Sequence, residues 1–283
     1  MPVEPVRNRH RRAVGIRVLH YGALILIAAI VLFPIYITVV NSLLTPQAIG
    51  RRPPTLFPTH PHGSGYVTAF HEGHLGVYLR NSLLIAAAIT VGQVVTSVLA
   101  GYAFALLRFP LRRTLFVVFL ATLMVPYEAT IITNAHTVTN FGWINKYPAL
   151  IVPFLATGLG TFLLRQAFLG VPRELHDAAR LDGYGHWRFL TRVAVPLARP
   201  AVAALAVFSF LGAWNQYLWP LLVTNTDRVR TVQIGLRQLE GTSIQQINVT
   251  FAGTVIAAFP IFLLLVLFQK QLVRGLTAGA VKG

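Results

Sequence analysis

Polar and apolar positions along this chain sort into long blocks, not into the short alternations of a soluble fold. Six nearly charge-free apolar runs lie at about 19–40, 82–107, 114–135, 149–168, 201–223 and 251–272. Each is close to the roughly 20 residues that carry a helix across the hydrocarbon core of a bilayer. Backbone groups in lipid must find partners within the chain, so all six runs are expected to be helices. The pattern predicts an all-α integral membrane protein with six transmembrane helices. A tail over 1–18 precedes the membrane domain over 19–272, and a second tail covers 273–283.

Basic residues give this arrangement an expected orientation. With the N-terminus inside, seventeen of the 24 Lys and Arg residues fall on the inner side and seven on the outer. The positive-inside rule then places both termini, and the stretch over 172–200, in the cytoplasm. Composition agrees with a membrane protein. The chain is 55% hydrophobic and 11% charged, against about 25% charged in soluble domains, and its mean hydropathy is +0.63. A net charge of +16 does not signal nucleic acid, because the arginines sit at the ends of apolar runs instead of forming one basic domain. The absence of cysteine excludes a disulfide framework or a thiolate metal site. The charge-free run over 21–40 outlasts the 7–15 residues of a cleaved signal, so it is read as a retained span.

One polar stretch, 172–200, interrupts this pattern between the fourth and fifth runs. Pro172 suits a first helical position, where a missing N–H costs nothing. Glu174 and Asp177 are expected near a helix N-terminus, where the dipole favours acids, and Asp182 adds a third carboxylate. Gly183 offers a left-handed exit. Ala178 and Ala179 keep one side of the helix small. A charged amphipathic helix between two spans would present a docking surface on one side of the bilayer.

The pattern Glu174-Leu-x-Asp177-Ala178-Ala179-x-Leu181-Asp182-Gly183, followed by Val195-Pro196-Leu197 and Pro200, resembles the EAA motif of permease subunits of bacterial ABC importers. Asp177 stands where that family usually has Glu, so its charge sits on a shorter stem. The tail Arg274-Gly-Leu-Thr-Ala-Gly-Ala-Val-Lys-Gly283 is similar to that of the carbohydrate-uptake branch. Within it, Arg108-Phe-Pro-Leu-Arg112, Thr122-Leu-Met-Val-Pro126 with Glu128, Thr161-Phe-Leu-Leu-Arg-Gln166 and Trp214-Asn-Gln-Tyr-Leu-Trp-Pro-Leu-Leu222 resemble permeases of glycerol-3-phosphate and glycerophosphodiester importers. The resemblance implies a type I importer permease of the bacterial inner membrane. Its cytoplasmic coupling helix lies between the fourth and fifth spans, with Glu174, Asp177, Ala178, Ala179, Asp182 and Gly183 meeting an ATPase. It also implies partners: a second permease, two ATPase copies that bind ATP and Mg, and an extracytoplasmic solute-binding protein. The C-terminal tail would touch the ATPase as well.

Other residues bear on the pathway and on rival functions. Glu128 is an acid inside an apolar run, which marks a functional position by default, although it falls toward the outer end, where water reaches. Asn215, Gln216, Tyr217 and Trp219 supply amides for hydroxyl groups and rings for sugar faces or cations; an aromatic belt at the interface is the alternative. The pairs His60/His62 and His71/His74 lie in an outer loop without a carboxylate pattern, so solvated histidines are expected there and not zinc. The chain lacks a Gly-x-x-x-x-Gly-Lys-Ser/Thr loop and cannot cradle ATP itself. No catalytic constellation appears. A secondary transporter would need coupling-ion residues in the membrane, and a scaffold would leave the polar residues of the fifth run without purpose. Uptake of a sugar or oligosaccharide by the same mechanism is the nearer alternative.

Overall fold

The computed structural model describes residues 6–71, 73–240 and 246–277, with side chains over 17–71, 73–240 and 246–271. The end of the C-terminal tail, from 278 on, lies outside the described residues. The chain folds as two compact units. One holds the described residues up to Ala69 together with those from 246 to Ile256; the other holds Phe70 to 240 and Ala257 to 277.

In the first unit, α1 (Val6–Ser42) carries exposed apolar side chains from Val18 to Phe33, as a lipid-facing helix should. The chain then folds back on the end of α1. Tyr36 donates to the Leu56 carbonyl at 2.7 Å, and the His62 amide donates to the Leu43 carbonyl at 2.8 Å. Ser42 and Tyr66 share a hydroxyl–hydroxyl bond of 2.7 Å. This return contains the short α2 (Pro46–Ile49), capped by Thr45, and leads into α3 (Ser64–His71).

The second unit is built on α4 (Leu75–Leu106), which packs against α8 (Gly158–Leu169) and α12 (Arg199–Trp214). Glycines let these backbones approach, as small residues do between membrane helices. A Cβ on Gly101 would lie 2.9 Å from the Arg165 amide nitrogen, and one on Gly160 would overlap Ser97 Oγ.

Two apolar clusters form along α4. One joins Ile85 and Ile89 to Ile131, Val138, Leu150, Trp219 and Val223; the other joins Tyr102 and Ala105 to Leu164, Phe168, Ala179, Phe189 and Leu205. Polar anchors fix the start of α4. Asn81, fully buried at 0% exposure, donates to the carbonyls of Arg228 and Arg230 at 2.9 and 3.0 Å and accepts from Tyr147 at 2.8 Å. Ser82 Oγ accepts from the Val232 amide at 2.8 Å, holding the start of α14 (Val232–Glu240).

Three of the expected spans are not single straight helices. The third divides into α5 (Arg112–Ala121), with a 3-10 turn at Thr122–Met124, and α6 (Tyr127–Asn140), which meet at 94°. Pro126 causes the break: a residue before proline avoids the helical region, and Val125 is extended at φ −80, ψ 116. The fourth divides into α7 (Tyr147–Ile151), continued by the turn Val152–Phe154, and α8, bent by 43°. The fifth ends early. α12 has 16 residues, about 24 Å at 1.5 Å per residue, and the chain restarts after Tyr217 as α13 (Leu218–Val223). The break therefore precedes Pro220, which sits in the first turn of α13, where an N–H is not needed. The sixth is a single helix, α15 (Ile247–Thr277), with Pro260 inside it.

Candidate functional site

The stretch over 172–200 forms two helices joined by a tight turn. α9 (Arg173–Leu181) begins one residue later than expected, with Pro172 outside it at φ −57, ψ 138. Its exit is a paired-hydrogen-bond cap. Gly183 is left-handed at φ +75, the Tyr184 amide donates to the Ala179 carbonyl at 2.8 Å and the Gly183 amide to the Arg180 carbonyl at 3.0 Å. This is the Schellman arrangement that glycine favours. The second helix runs through α10 (His186–Phe189), a π turn at Leu190–Ala194 and α11 (Val195–Leu197), then bends by 80° into α12.

The two faces of α9 differ more than the sequence suggested. Glu174 occupies the first turn; Asp177 lies mid-helix, beside His176 at 3.7 Å, beyond the stronger reach of the dipole. Ala178 and Ala179 do not form one small face, because successive helical residues point about 100° apart. Ala178 is exposed, whereas Ala179, at 6% exposure, enters the cluster of Tyr102, Phe168 and Phe189. Glu174, Asp177, Asp182 and Gly183 are exposed. Leu181 joins them at 91% exposure, an apolar tip among acids. Behind this ridge Tyr102 meets His186 Nδ1 at 3.2 Å, and the His176 ring lies edge-on to Phe189 at 5.0 Å. A cavity of about 70 Å³ lies among His176, Arg180, Tyr184 and His186. Packed side chains thus connect α9 to α4 and α8.

A second polar region lies where the broken spans meet. The Tyr127, Phe154 and Trp219 rings, one beside each break, are in mutual contact with centroids 5.9 to 6.5 Å apart. α4 satisfies backbone groups released by the fourth break: Gln93 donates to the Phe154 carbonyl at 2.9 Å and Thr96 to the Leu155 carbonyl at 2.8 Å. Irregular backbone at membrane depth persists only when buried in protein or lining a cavity, and here α4 provides that cover. Asn215 closes α12 by donating to the Leu211 carbonyl at 2.9 Å and accepts from Gln233 at 3.3 Å. Gln216 is half-buried, while Tyr217 and Glu128 are exposed. Trp219 departs from its expected place. It is 2% exposed, its Nε1 donates to the Ala149 carbonyl at 2.9 Å, and its ring supports the wall instead of facing a solute.

Sequence reasoning passed over α6. Glu128, Thr133, His136, Thr137 and Asn140 are exposed along it, spread over about half its circumference with Ile132 among them, while Ile131 and Val138 point into the core. Averaging hydropathy along the run hid this division; resolving α6 by helical face would have shown it. Among the described residues, no group of three His, Asp or Glu could hold a metal ion.

Relatives decide the family. The family described as "binding-protein-dependent transport system inner membrane component" matches residues 93–278. The chain belongs to this family. This inner-membrane component is a multi-pass permease subunit of an ABC importer; it is not an enzyme, and the ATPase is a separate subunit. Its similar proteins include the sn-glycerol-3-phosphate transport system permease protein UgpE of Brucella abortus, 38% identical over 90% of this chain and 94% of the relative. The protein of the same name in Agrobacterium fabrum is 37% identical over 92% and 95%, and that of Yersinia pestis 35% identical over 93% and 96%. In fold, the permease is similar to a chain of a bacterial ABC transporter involved in import of the acidic polysaccharide alginate, with a TM-score of 0.80 at 20% identity, covering 95% of this chain and 99% of that one.

Proposed function

We propose that this permease takes part in ATP-driven uptake of sn-glycerol-3-phosphate or its glycerophosphodiesters, forming half of the solute path. The observation that carries this reading is the agreement, over nine-tenths of the chain, with relatives named for glycerol-3-phosphate transport. In this reading the ridge formed by Glu174, Asp177, Ala178, Asp182 and Gly183 docks on the ATPase, which holds ATP and Mg. Ala179 works from behind, transmitting the load to α4 and α8. A second permease completes the path, two ATPase copies drive it, and an extracytoplasmic solute-binding protein delivers the solute. Both termini face the cytoplasm, as the basic residues favour.

The path runs past the broken spans. Asn215, Gln216 and Tyr217 offer hydrogen bonds to hydroxyl groups, and the polar face of α6 extends the same wall. Glu128 would repel a phosphate but suit the cationic headgroup of a glycerophosphocholine-like diester. Uptake of radiolabelled glycerol-3-phosphate, a glycerophosphodiester and a disaccharide by the reconstituted complex tests the reading. ATP-dependent uptake of either phosphorylated solute supports it; uptake of the disaccharide alone removes the substrate assignment while keeping the permease.

A further inference from the structure

The turn between α4 and α5 gathers positive charge. Arg108, Arg112 and Arg113 line an open groove of about 380 Å³ with Phe109, Leu111 and Thr114. Arg165 on α8 is close enough to Arg112 for their charges to interact. Arg165 is itself held in place, with Nε donating to the Phe104 carbonyl at 3.2 Å and its guanidinium 4.2 Å above the Phe116 ring. Among the described residues none of these four arginines forms an ion pair with a carboxylate. The groove also contains the N-terminus of α5, which has no side-chain cap. Amides there and guanidinium groups beside them favour the same ligand, an anion with several oxygens.

The surroundings say which anion. Leu111, at the tip of the turn, is left-handed at φ +57 and 70% exposed. Leu115 and Val118 follow it at helical spacing and are exposed as well. An apolar stripe leading along a spanning helix from an arginine cluster at its end matches a headgroup joined to a hydrocarbon chain. We propose that this groove binds an anionic glycerophospholipid, its phosphate held by Arg108, Arg112 and Arg113 and one acyl chain lying along Leu111, Leu115 and Val118. The lipid would brace the turn that joins the unbroken second span to the broken third.

The test uses the full-length chain purified in mild detergent, with bound phosphatidylglycerol and phosphatidylcholine counted by native mass spectrometry and the unfolding temperature recorded with each lipid. The variant Arg108→Gln/Arg113→Gln spares Arg112, whose Nη1 donates to the Leu107 carbonyl at 2.8 Å. The wild type should retain and be stabilised by phosphatidylglycerol in preference to phosphatidylcholine. Each arginine removed should weaken retention about fivefold. No preference in the wild type, or equal retention by the variant, would overturn the proposal. So would displacement of the lipid by inorganic phosphate at matched concentration, which would assign the groove to a free anion. Loss of ATPase affinity in the variant with lipid retention unchanged would overturn it too, by assigning the arginines to a protein surface.

Discussion

Asn81 shows how one side chain can organise the part of the second unit around the start of α4. Asn81 is itself fully buried and its three hydrogen bonds are partly buried, so Asn81→Leu would take the partner from a tyrosine hydroxyl and two carbonyls. At about 1–3 kcal/mol per stranded group, with partial relaxation, the expected loss is about 3 kcal/mol, read as a lower unfolding temperature in detergent. Nearby, the Tyr78 hydroxyl donates to Asp227 Oδ1 at 2.8 Å and Arg230 pairs with the same oxygen at 2.9 Å. The Tyr78 hydrogen bond first, and Arg230 after it, hold the Asp227 carboxyl below its ordinary range against the opposing effect of burial. A depressed carboxylate stabilises the fold above its unfolded pKa, and that contribution disappears as pH falls through the folded value. Stability should therefore decline below about pH 4, and Tyr78→Phe should flatten that decline in a pH series of unfolding temperatures. At this scale the sequence was only partly readable. Gly183 announced its left-handed turn, because few other residues accept one. Trp219 did not announce its burial, because a tryptophan beside amides fits a wet wall and a packed one equally well.

Among the elements, α4 is continuous while its neighbours are broken, and its polar side chains make those breaks tolerable. Gln93 and Thr96 bond to carbonyls that a straight fourth span would have satisfied itself. Close packing of α4 on α8 requires Gly160: Gly160→Ala should cost about 1–3 kcal/mol by overpacking. Gly22→Ala, in the interior of α1 where nothing lies within 4 Å, should leave the unfolding temperature unchanged or slightly raised, since alanine suits a helix interior better than glycine. A matching effect at both sites would contradict the packing account. The existence and order of the six apolar runs could be read from hydropathy, since lipid demands length and apolarity. The breaks could not. A run-averaged hydropathy cannot register a bend at Val125–Pro126, and the polar face of α6 is diluted by the apolar residues beside it. Pro220 pointed to a break in the fifth span, but the chain ends α12 at Asn215, whose amide closes the helix, and uses the proline to start the next one.

At the scale of the whole molecule, the family and the fold agree on a membrane permease subunit of an ABC importer whose ATPase is separate, and the proposed docking of that ATPase falls on the exposed acidic ridge. Ala179, Phe189, Tyr102 and Phe168 form the packed link between the ridge and the spans, the connection on which the proposed coupling depends. The ridge was legible because its acids and glycine keep fixed spacing; Leu181 at its tip was not singled out, since an isolated leucine in a polar helix reads as core. The measurement that bears most directly on this account is ATP-dependent glycerol-3-phosphate uptake by proteoliposomes of the complete complex, comparing wild type with Asp177→Lys and Leu181→Asp. Both side chains are exposed, so both variants should insert and unfold as the wild type does. The account expects uptake by the wild type to require the ATPase and to fall at least tenfold in each variant, a loss of about 1.4 kcal/mol or more of coupling. Uptake that persists without the ATPase, or that neither substitution changes, would contradict it.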